Sequence, residues 1–353
     1  MKHLKHDGTT RTNSAFTAIE VVLPGVTKPN GLLIKQRQLN QPESGEVIIK
    51  VEACGVSFAE RAMMRDKYPG MPKFPFVPGY DLVGIVVAVG TDIDSKLLDR
   101  RVAVLTKTGG WSSHRTVSVN DILAIPHDVD PVEAETLVVN GITAWQMLHR
   151  EAKAKKGQTI LVLGANGGVG TILTQLAIHA GIKVIGSSSP RHHEALKEQG
   201  IIPIDYNDIN FLETVKSLAP EGVDSVFDNI GGDSISRSFA TLKPGGVLVS
   251  YAIAYALNLN KSVVMLFLGL IAKLTWLNYM PNGRKAFFYN IWTGKGTDKF
   301  RKHIQEDFSS IMDLLSQGIL KPHIAGRFPL AHIAEALELA ESRTTYGKIV
   351  LIP

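Results

Sequence analysis

The sequence predicts an α/β protein of two parts, a compact β-rich unit followed by a parallel sheet with crossover helices. Three observations carry this. From Phe16 to about Asp130 the chain runs in short strands broken by Gly and Pro, with no helix pattern of comparable length. From about Ala134 strand and helix patterns alternate, which is the texture of a parallel sheet. The strand TILVLG (Thr159–Gly164) in that series feeds a glycine-rich turn and then an apolar helix. At 353 residues, 44% hydrophobic and 20% charged, the chain has enough apolar material for two packed units.

The elements follow in order. Residues 1–15 are polar, offer little to bury, and are expected to form a flexible tail rather than a secretory signal. The β-rich unit contains the strands EVIIKVEACGV (Glu46–Val56), LVGIVVAVG (Leu82–Gly90) and RVAVLT (Arg101–Thr106). A helix is read over Val132–Ala152, then the strand TILVLG, a helix over Thr171–Gly181 and a strand over Lys183–Ser189. A helix with His193, Leu196 and Lys197 precedes strand Ile201–Tyr206, helix Phe211–Ala219 and strand Val223–Asn229. A helix from Asp233 and strand Gly245–Ala252 come next. The C-terminal part reads as a helix and strand over 303–324, a helix over 332–342 and a last strand, Lys348–Ile352.

The longest apolar run, Ser262–Tyr279, is interrupted by Lys273. Before that lysine it falls short of the ~20 residues a bilayer span needs. A buried strand, a lid or a subunit interface is expected there in preference to membrane contact. The formal charge is +5, with Lys2, Lys5 and Arg11 near the start and Arg284, Lys295, Lys299, Arg301 and Lys302 near the end. Basic and aromatic residues do not interleave, so no nucleic-acid partner is expected. The single cysteine, Cys54, excludes an intrachain disulfide and a four-cysteine zinc site. It fits a reducing, cytoplasmic setting.

In GANGGVG, Gly164, Gly167 and Gly170 recur every third residue, with Asn166 where a second glycine often stands. A turn of this kind lets backbone N–H groups at a helix start face a pyrophosphate. Gly167, Gly168 and Val169 are expected to supply those amides, and Gly170 to let the helix pack close to the sheet. The next strand ends in Ser187, Ser188, Ser189, Arg191 and His192, with no carboxylate before Glu194. Hydroxyls and a guanidinium suit a 2′-phosphate, whereas a carboxylate would repel it, so NADPH is expected over NADH.

Several stretches then line up: GYDLVGIVVAVG (Gly79–Gly90), NGITAW (Asn140–Trp145), GANGGVG (Gly164–Gly170), VFDNIGG (Val226–Gly232), LKPGGVLVSYA (Leu242–Ala252) and ESRTTYGKIVLIP (Glu341–Pro353). Together they resemble the zinc-independent medium-chain dehydrogenase/reductase superfamily, from about Phe16 to Pro353. The resemblance is to its NADPH:quinone oxidoreductase group, with zeta-crystallin and related alkenal and enoyl reductases. It implies a GroES-like β-rich catalytic domain, residues 16–135 and 300–353, and a Rossmann doubly wound parallel sheet, residues 136–299, binding NADPH. It places Thr143 near the nicotinamide, Asn229 and Ile230 along the cofactor channel, and Tyr251 and Ala252 at the nicotinamide amide. Tyr206 and Arg343 match positions that contact the 2′-phosphate, and His192 lies near a lysine with the same task. A homodimer is also implied.

In zinc-dependent relatives a cysteine follows a Gly-Val pair; Ser57 stands there. Their Gly-His-Glu histidine is Tyr80 here, and the glutamate is Asp81. Serine and tyrosine are poor zinc ligands, so no metal is expected. Asp81 is expected to be structural, at a turn near the cleft, with Tyr80 packing or hydrogen bonding beside it. The candidate catalytic donors are Ser57, Glu60 and Tyr68: the resemblance matches Ser57 and Glu60 to an Asn and an Asp of quinone reductases and Tyr68 to a pocket tyrosine, and Ala62 replaces a second. Tyr68 is read either as a proton donor or as a cleft-shaping residue. Without a metal to hold an alkoxide, the expected reaction is hydride transfer to an apolar quinone or to the conjugated double bond of an α,β-unsaturated carbonyl. The alternatives are a low-turnover NADPH-binding structural or membrane-associated protein, and an enoyl reductase for carrier- or CoA-bound chains.

Overall fold

The computed structural model describes residues 16–259 and 262–353; the tail expected at 1–15 lies outside the described residues. Strands β1 (Phe16–Val22) and β2 (Leu33–Leu39) pair as an antiparallel ribbon. The following strands are β3 (Glu46–Val56), β4 (Asp81–Val89), β5 (Arg101–Leu105), β6 (His114–Ser118) and β7 (Ile122–Ala124). Then come β8 (Thr159–Leu163), β9 (Lys183–Ser188), β10 (Ile202–Asp205), β11 (Val223–Asp228), β12 (Leu242–Ser250) and β13 (Lys285–Phe288). The chain closes with β14 (Ile324–Pro329) and β15 (Lys348–Ile352).

A seven-stranded sheet runs β14-β15-β3-β4-β5-β7, with β6 also on β3. The C-terminal strand thus returns to complete the sheet that the N-terminal half began, and β15 pairs antiparallel with β3 (Ile349↔Val56). The other sheet has six parallel strands in the order β10-β9-β8-β11-β12-β13. Its central strands β8 and β11 are buried almost throughout, as a sheet covered on both faces requires.

The helices are α1 (Phe58–Met63), α2 (Pro131–Leu137), α3 (Val139–Trp145), α4 (Gly168–His179) and α5 (His193–Glu198). They continue with α6 (Phe211–Leu218), α7 (Ser234–Ala240), α8 (Val263–Asn278), α9 (Asp298–Ser316) and α10 (Ile333–Glu341). Three differ from the sequence reading. The six-residue α1 sits inside the unit expected to be all strand; it is too short to show a helical period. The helix expected over Val132–Ala152 is two helices and a π-turn, Gln146–Glu151. Asp130 caps α2 through the amides of Val132 and Glu133, at 2.9 and 3.0 Å. The chain then turns at Val138, and the Val139 N–H donates to Asp81 Oδ2 at 3.0 Å.

The run over 262–279 is a helix and not a buried strand. Leu270, Leu274 and Leu277 are its buried face, while Val264, Met265, Leu268 and Trp276 are more than half exposed. Being apolar all round, it hides the period that separates helix from strand. Among the described residues no helix is long and apolar enough to cross a membrane.

One hydrophobic cluster joins both sheets, running from Val47 and Val83 through Ile160 and Leu173 to Phe308. The sheets also meet through backbone: the Gly347 N–H donates to Asn166 O at 2.9 Å, beside a parallel Gly167–Gly347 bridge. A cleft opens between them at that seam.

Candidate active site

The cleft is a cavity of about 500 Å³. Its floor is the turn from β8 into α4. Gly164 has φ 66, a conformation costly for other residues, and a Cβ there would meet Asn229 Nδ2 at 2.7 Å. A Cβ on Gly170 would meet Gly164 O at 2.2 Å, so only glycine lets α4 start this close to the strand. A Cβ on Gly167 meets only Gly164 O, at 3.3 Å. A side chain there would grow into the space a ligand needs. First-turn amides of a helix have no intrahelical acceptor, and Gly168 and Val169 line the cavity at that turn. Gly167 also lines it, but its N–H is taken by Gly164 O at 2.9 Å, so it does not supply an amide as expected. Asn166 is turned away too: its Nδ2 donates to Thr345 O at 3.0 Å, across the seam.

Above this turn, Thr143, Asn229, Tyr251 and Ala252 line the cavity. Asn229 is fixed by its neighbour. The buried Asp228 carboxylate accepts the Ile230 and Gly231 amides at 2.8 and 2.9 Å and the Ser234 and Ser238 hydroxyls at 2.7 Å. Ile230 therefore braces the loop and packs in the core without lining the cavity. Asn229 Oδ1 is buried with no partner, a polar atom left for a ligand. These features fit the nicotinamide and pyrophosphate of a dinucleotide.

The adenosine end departs further from expectation. Ser187 and Ser188 are buried; Ser187 Oγ receives the Gly164 N–H at 3.4 Å and Ser188 Oγ donates to Ser189 O at 3.1 Å. Both brace the loop. His192 is 8% exposed and packs on the Tyr346 ring at 5.6 Å, with its pKa lowered by burial and then by Arg191. It is a neutral packing residue and not a substitute cation. Arg191, Tyr206 and Arg343 are exposed groups outside the cavity walls.

At the other end α1 forms a wall. Ser57 caps it: Oγ accepts the Ala59 N–H at 3.2 Å and donates to Glu60 Oε2 at 2.5 Å. Glu60 does not face the cavity. It is buried, accepts the amides of Ser57 and Tyr80 at 2.8 Å each, and has its pKa raised by burial. It ties α1 to the turn before β4. Ser57 lines the cavity, yet its proton is committed to Glu60.

Tyr68 lines the cavity half-buried, with its hydroxyl 2.6 Å from that of Tyr80. The Trp292 indole N–H donates to Tyr80 as well. Trp292, Tyr289 and Asn290, from the loop after β13, and Phe267 of α8 complete this apolar end. Tyr289 and Asn290 lie outside the sequence reading; nothing local marks a loop residue as facing a remote cleft. Among the described residues no acidic side chain lines the cavity.

Beneath it lies a buried ion group. Lys348 Nζ donates to Asp81 Oδ2 and Glu135 Oε1, 2.8 Å each. Burial and then Asp81 push the Glu135 carboxyl well above its ordinary range. Burial alone would lower Lys348, but the two carboxylates more than reverse that. Asp81 is structural, as expected. The zinc-ligand positions are thus engaged elsewhere, Ser57 in a helix cap and Tyr80 in a hydrogen-bonded aromatic group. Among the described residues no three His, Cys, Asp or Glu side chains are grouped to hold a metal.

Comparison with known proteins gives the following. The family model described as alcohol dehydrogenase GroES-like domain matches residues 43–127, and that described as zinc-binding dehydrogenase matches 201–351. The human synaptic vesicle membrane protein VAT-1 homolog is 30% identical over 321 residues, 88% of this chain and 80% of that protein. A 2-haloacrylate reductase from Burkholderia sp is 27% identical, over 92% of this chain and 96% of its own. The mycobacterial protein Rv1454c, solved in complex with NADPH, superposes with a TM-score of 0.81 at 26% identity, over 95% of this chain and 100% of that one.

Proposed function

This chain belongs to the zinc-independent medium-chain dehydrogenase/reductase superfamily, and on that premise we propose that it reduces quinones or the conjugated double bond of α,β-unsaturated carbonyls. Its cofactor is NADPH, which when bound supplies the hydride. The observation that carries the reading is the cavity itself. One end is a glycine cradle at a helix N-terminus, and the other is walled largely by aromatic side chains, with Lys67 and Lys107 also among the lining residues.

The residues act as follows. The α4 start holds the pyrophosphate, and Asn229 and Thr143 orient the nicotinamide end. Trp292, Phe267 and Phe288 exclude water and hold a flat acceptor. Hydride addition at the β-carbon of an enone leaves an enolate oxygen, which needs a hydrogen-bond donor. The Ser57 hydroxyl hydrogen is engaged by Glu60, and Tyr68 is assigned as the donor. One proton from the medium then completes the saturated carbonyl, so enone, NADPH and a proton give product and NADP⁺.

A panel of quinones and enones, each followed by loss of NADPH absorbance, tests this. At least one class is expected to be turned over. NADPH binding with no acceptor consumed would instead support a second reading, a low-turnover protein held at a membrane surface. The exposed apolar face of α8 and the name of the human relative favour that alternative. The main reading includes a homodimer, supported by the outer position of β13 in its sheet and checked by light scattering.

A further inference from the structure

Tyr68, Tyr80 and Trp292 come from three separate segments: the loop after α1, the turn before β4, and the loop after β13. Their polar atoms meet in one chain at the cavity wall. The Trp292 indole N–H can only donate, and it donates to the Tyr80 oxygen. Between the two phenols, 2.6 Å apart, either oxygen is a possible donor by distance alone. The indole removes that ambiguity. If Tyr68 donated, Tyr80 would accept twice, and its own hydrogen would have no acceptor among the described residues, leaving only the narrow edge by which Tyr80 reaches the cavity. Tyr80 is 5% exposed, and Tyr68 and Trp292 are its only hydroxyl partners among the described residues. An unpaired buried hydroxyl proton is costly. If Tyr80 donates to Tyr68, every polar hydrogen of the chain is used, and the Tyr68 O–H is free to turn into the cavity that its side chain lines.

We propose that Trp292 and Tyr80 are positioning residues that impose one direction, Trp292 to Tyr80 to Tyr68, and so aim the Tyr68 hydroxyl hydrogen at the acceptor's oxygen. Of the three polar groups only the Tyr68 hydroxyl donates to the substrate, although the Tyr80 and Trp292 rings line the same cavity. The phenol at position 80 sets the polarity of the donor. Burial raises the pKa of both phenols, and the bond from Tyr80 partly offsets the rise at Tyr68. Both therefore stay protonated through neutral pH. The rings brace the arrangement: Tyr68 meets Tyr80 edge-on at 6.0 Å, and Trp292 lies 5.4 Å from Tyr80. Glu60 holds the Tyr80 backbone from behind.

The inference rests on the reductase reading, and two measurements separate their fates. In steady-state assays Tyr68→Phe is expected to lower kcat about a hundredfold and Tyr80→Phe about tenfold, with acceptor KM and NADPH affinity little changed. The double variant is expected to be no slower than Tyr68→Phe. Trp292→Phe, which frees Tyr80 to reverse, is expected to lower kcat severalfold only when Tyr68 is present. Independent losses from Tyr80→Phe and Tyr68→Phe would overturn the proposal, as would full activity in Tyr80→Phe.

The second measurement needs no turnover. Spectrophotometric titration of the protein minus that of Tyr68→Phe isolates the Tyr68 ionisation. Replacing Tyr80 with Phe removes a donor to the Tyr68 phenolate, so that ionisation is expected to move to higher pH. No shift, or a shift downward, contradicts the assigned direction. If no acceptor is ever reduced, the reductase reading fails while this titration still decides the direction. Phe substitutions keep the rings, and a melting curve confirms that each variant is folded.

Discussion

The smallest unit that decides this site is a single buried ammonium. Lys348 stands between Asp81 and Glu135, and all three are 3% exposed or less. Removing one member of such a group leaves uncompensated charge, so Lys348→Met is expected to cost about 3–5 kcal/mol in chemical denaturation. Glu135→Gln, which keeps the shape and removes surplus negative charge, is expected to cost little. The pH dependence follows from the same group. Glu135 and Lys348 both have pKa values raised on folding. For each, the stabilising protonated form is fully present below the unfolded pKa and is lost as pH rises through the folded one. The Glu135 contribution is therefore lost from above pH 4.5 and that of Lys348 from above pH 10.5, so the melting temperature is expected to fall as pH rises, and less steeply in Glu135→Gln. A flat alkaline profile in the parent protein would contradict this. The structural role of Asp81 was legible in the sequence, because the motif it sits in is local. Its partner was not: Lys348 is 267 residues away, and only the return of β15 to β3 brings it near.

Among the elements, the strand-turn-helix from β8 to α4 was the clearest in the sequence, since its apolar run, glycine spacing and helix follow one another directly. The physical reason is now explicit at Gly170, where a Cβ has no room against Gly164 O. Gly170→Val is expected to reduce NADPH affinity at least about tenfold by fluorescence titration, because the helix start that faces the pyrophosphate must shift. Unchanged affinity would mean the phosphates bind elsewhere. Neighbouring details were not legible. The Gly167 amide is used inside the turn, and the Ser187 and Ser188 hydroxyls fold back on their loop. Residue type shows that a group can bind a phosphate, but only the backbone path shows whether it is free to. At α1 the signal was too short, and at α8 it was too uniformly apolar.

For the whole molecule, the two-part architecture was readable because the texture of the chain changes near Ala134 and because motifs recur in family order. The cavity was not readable in full, because it exists only where two sheets meet, with Trp292 and Tyr289 arriving from a loop without a motif. With Ser57 capping a helix and Tyr80 in a hydrogen-bonded aromatic group, the proposed reduction of activated double bonds or quinones in this cavity needs no metal. The most direct test is the rate of acceptor-dependent NADPH oxidation before and after exhaustive chelation, with zinc then restored. The same rate is expected in all three states. A rate lost on chelation and recovered with zinc would contradict it.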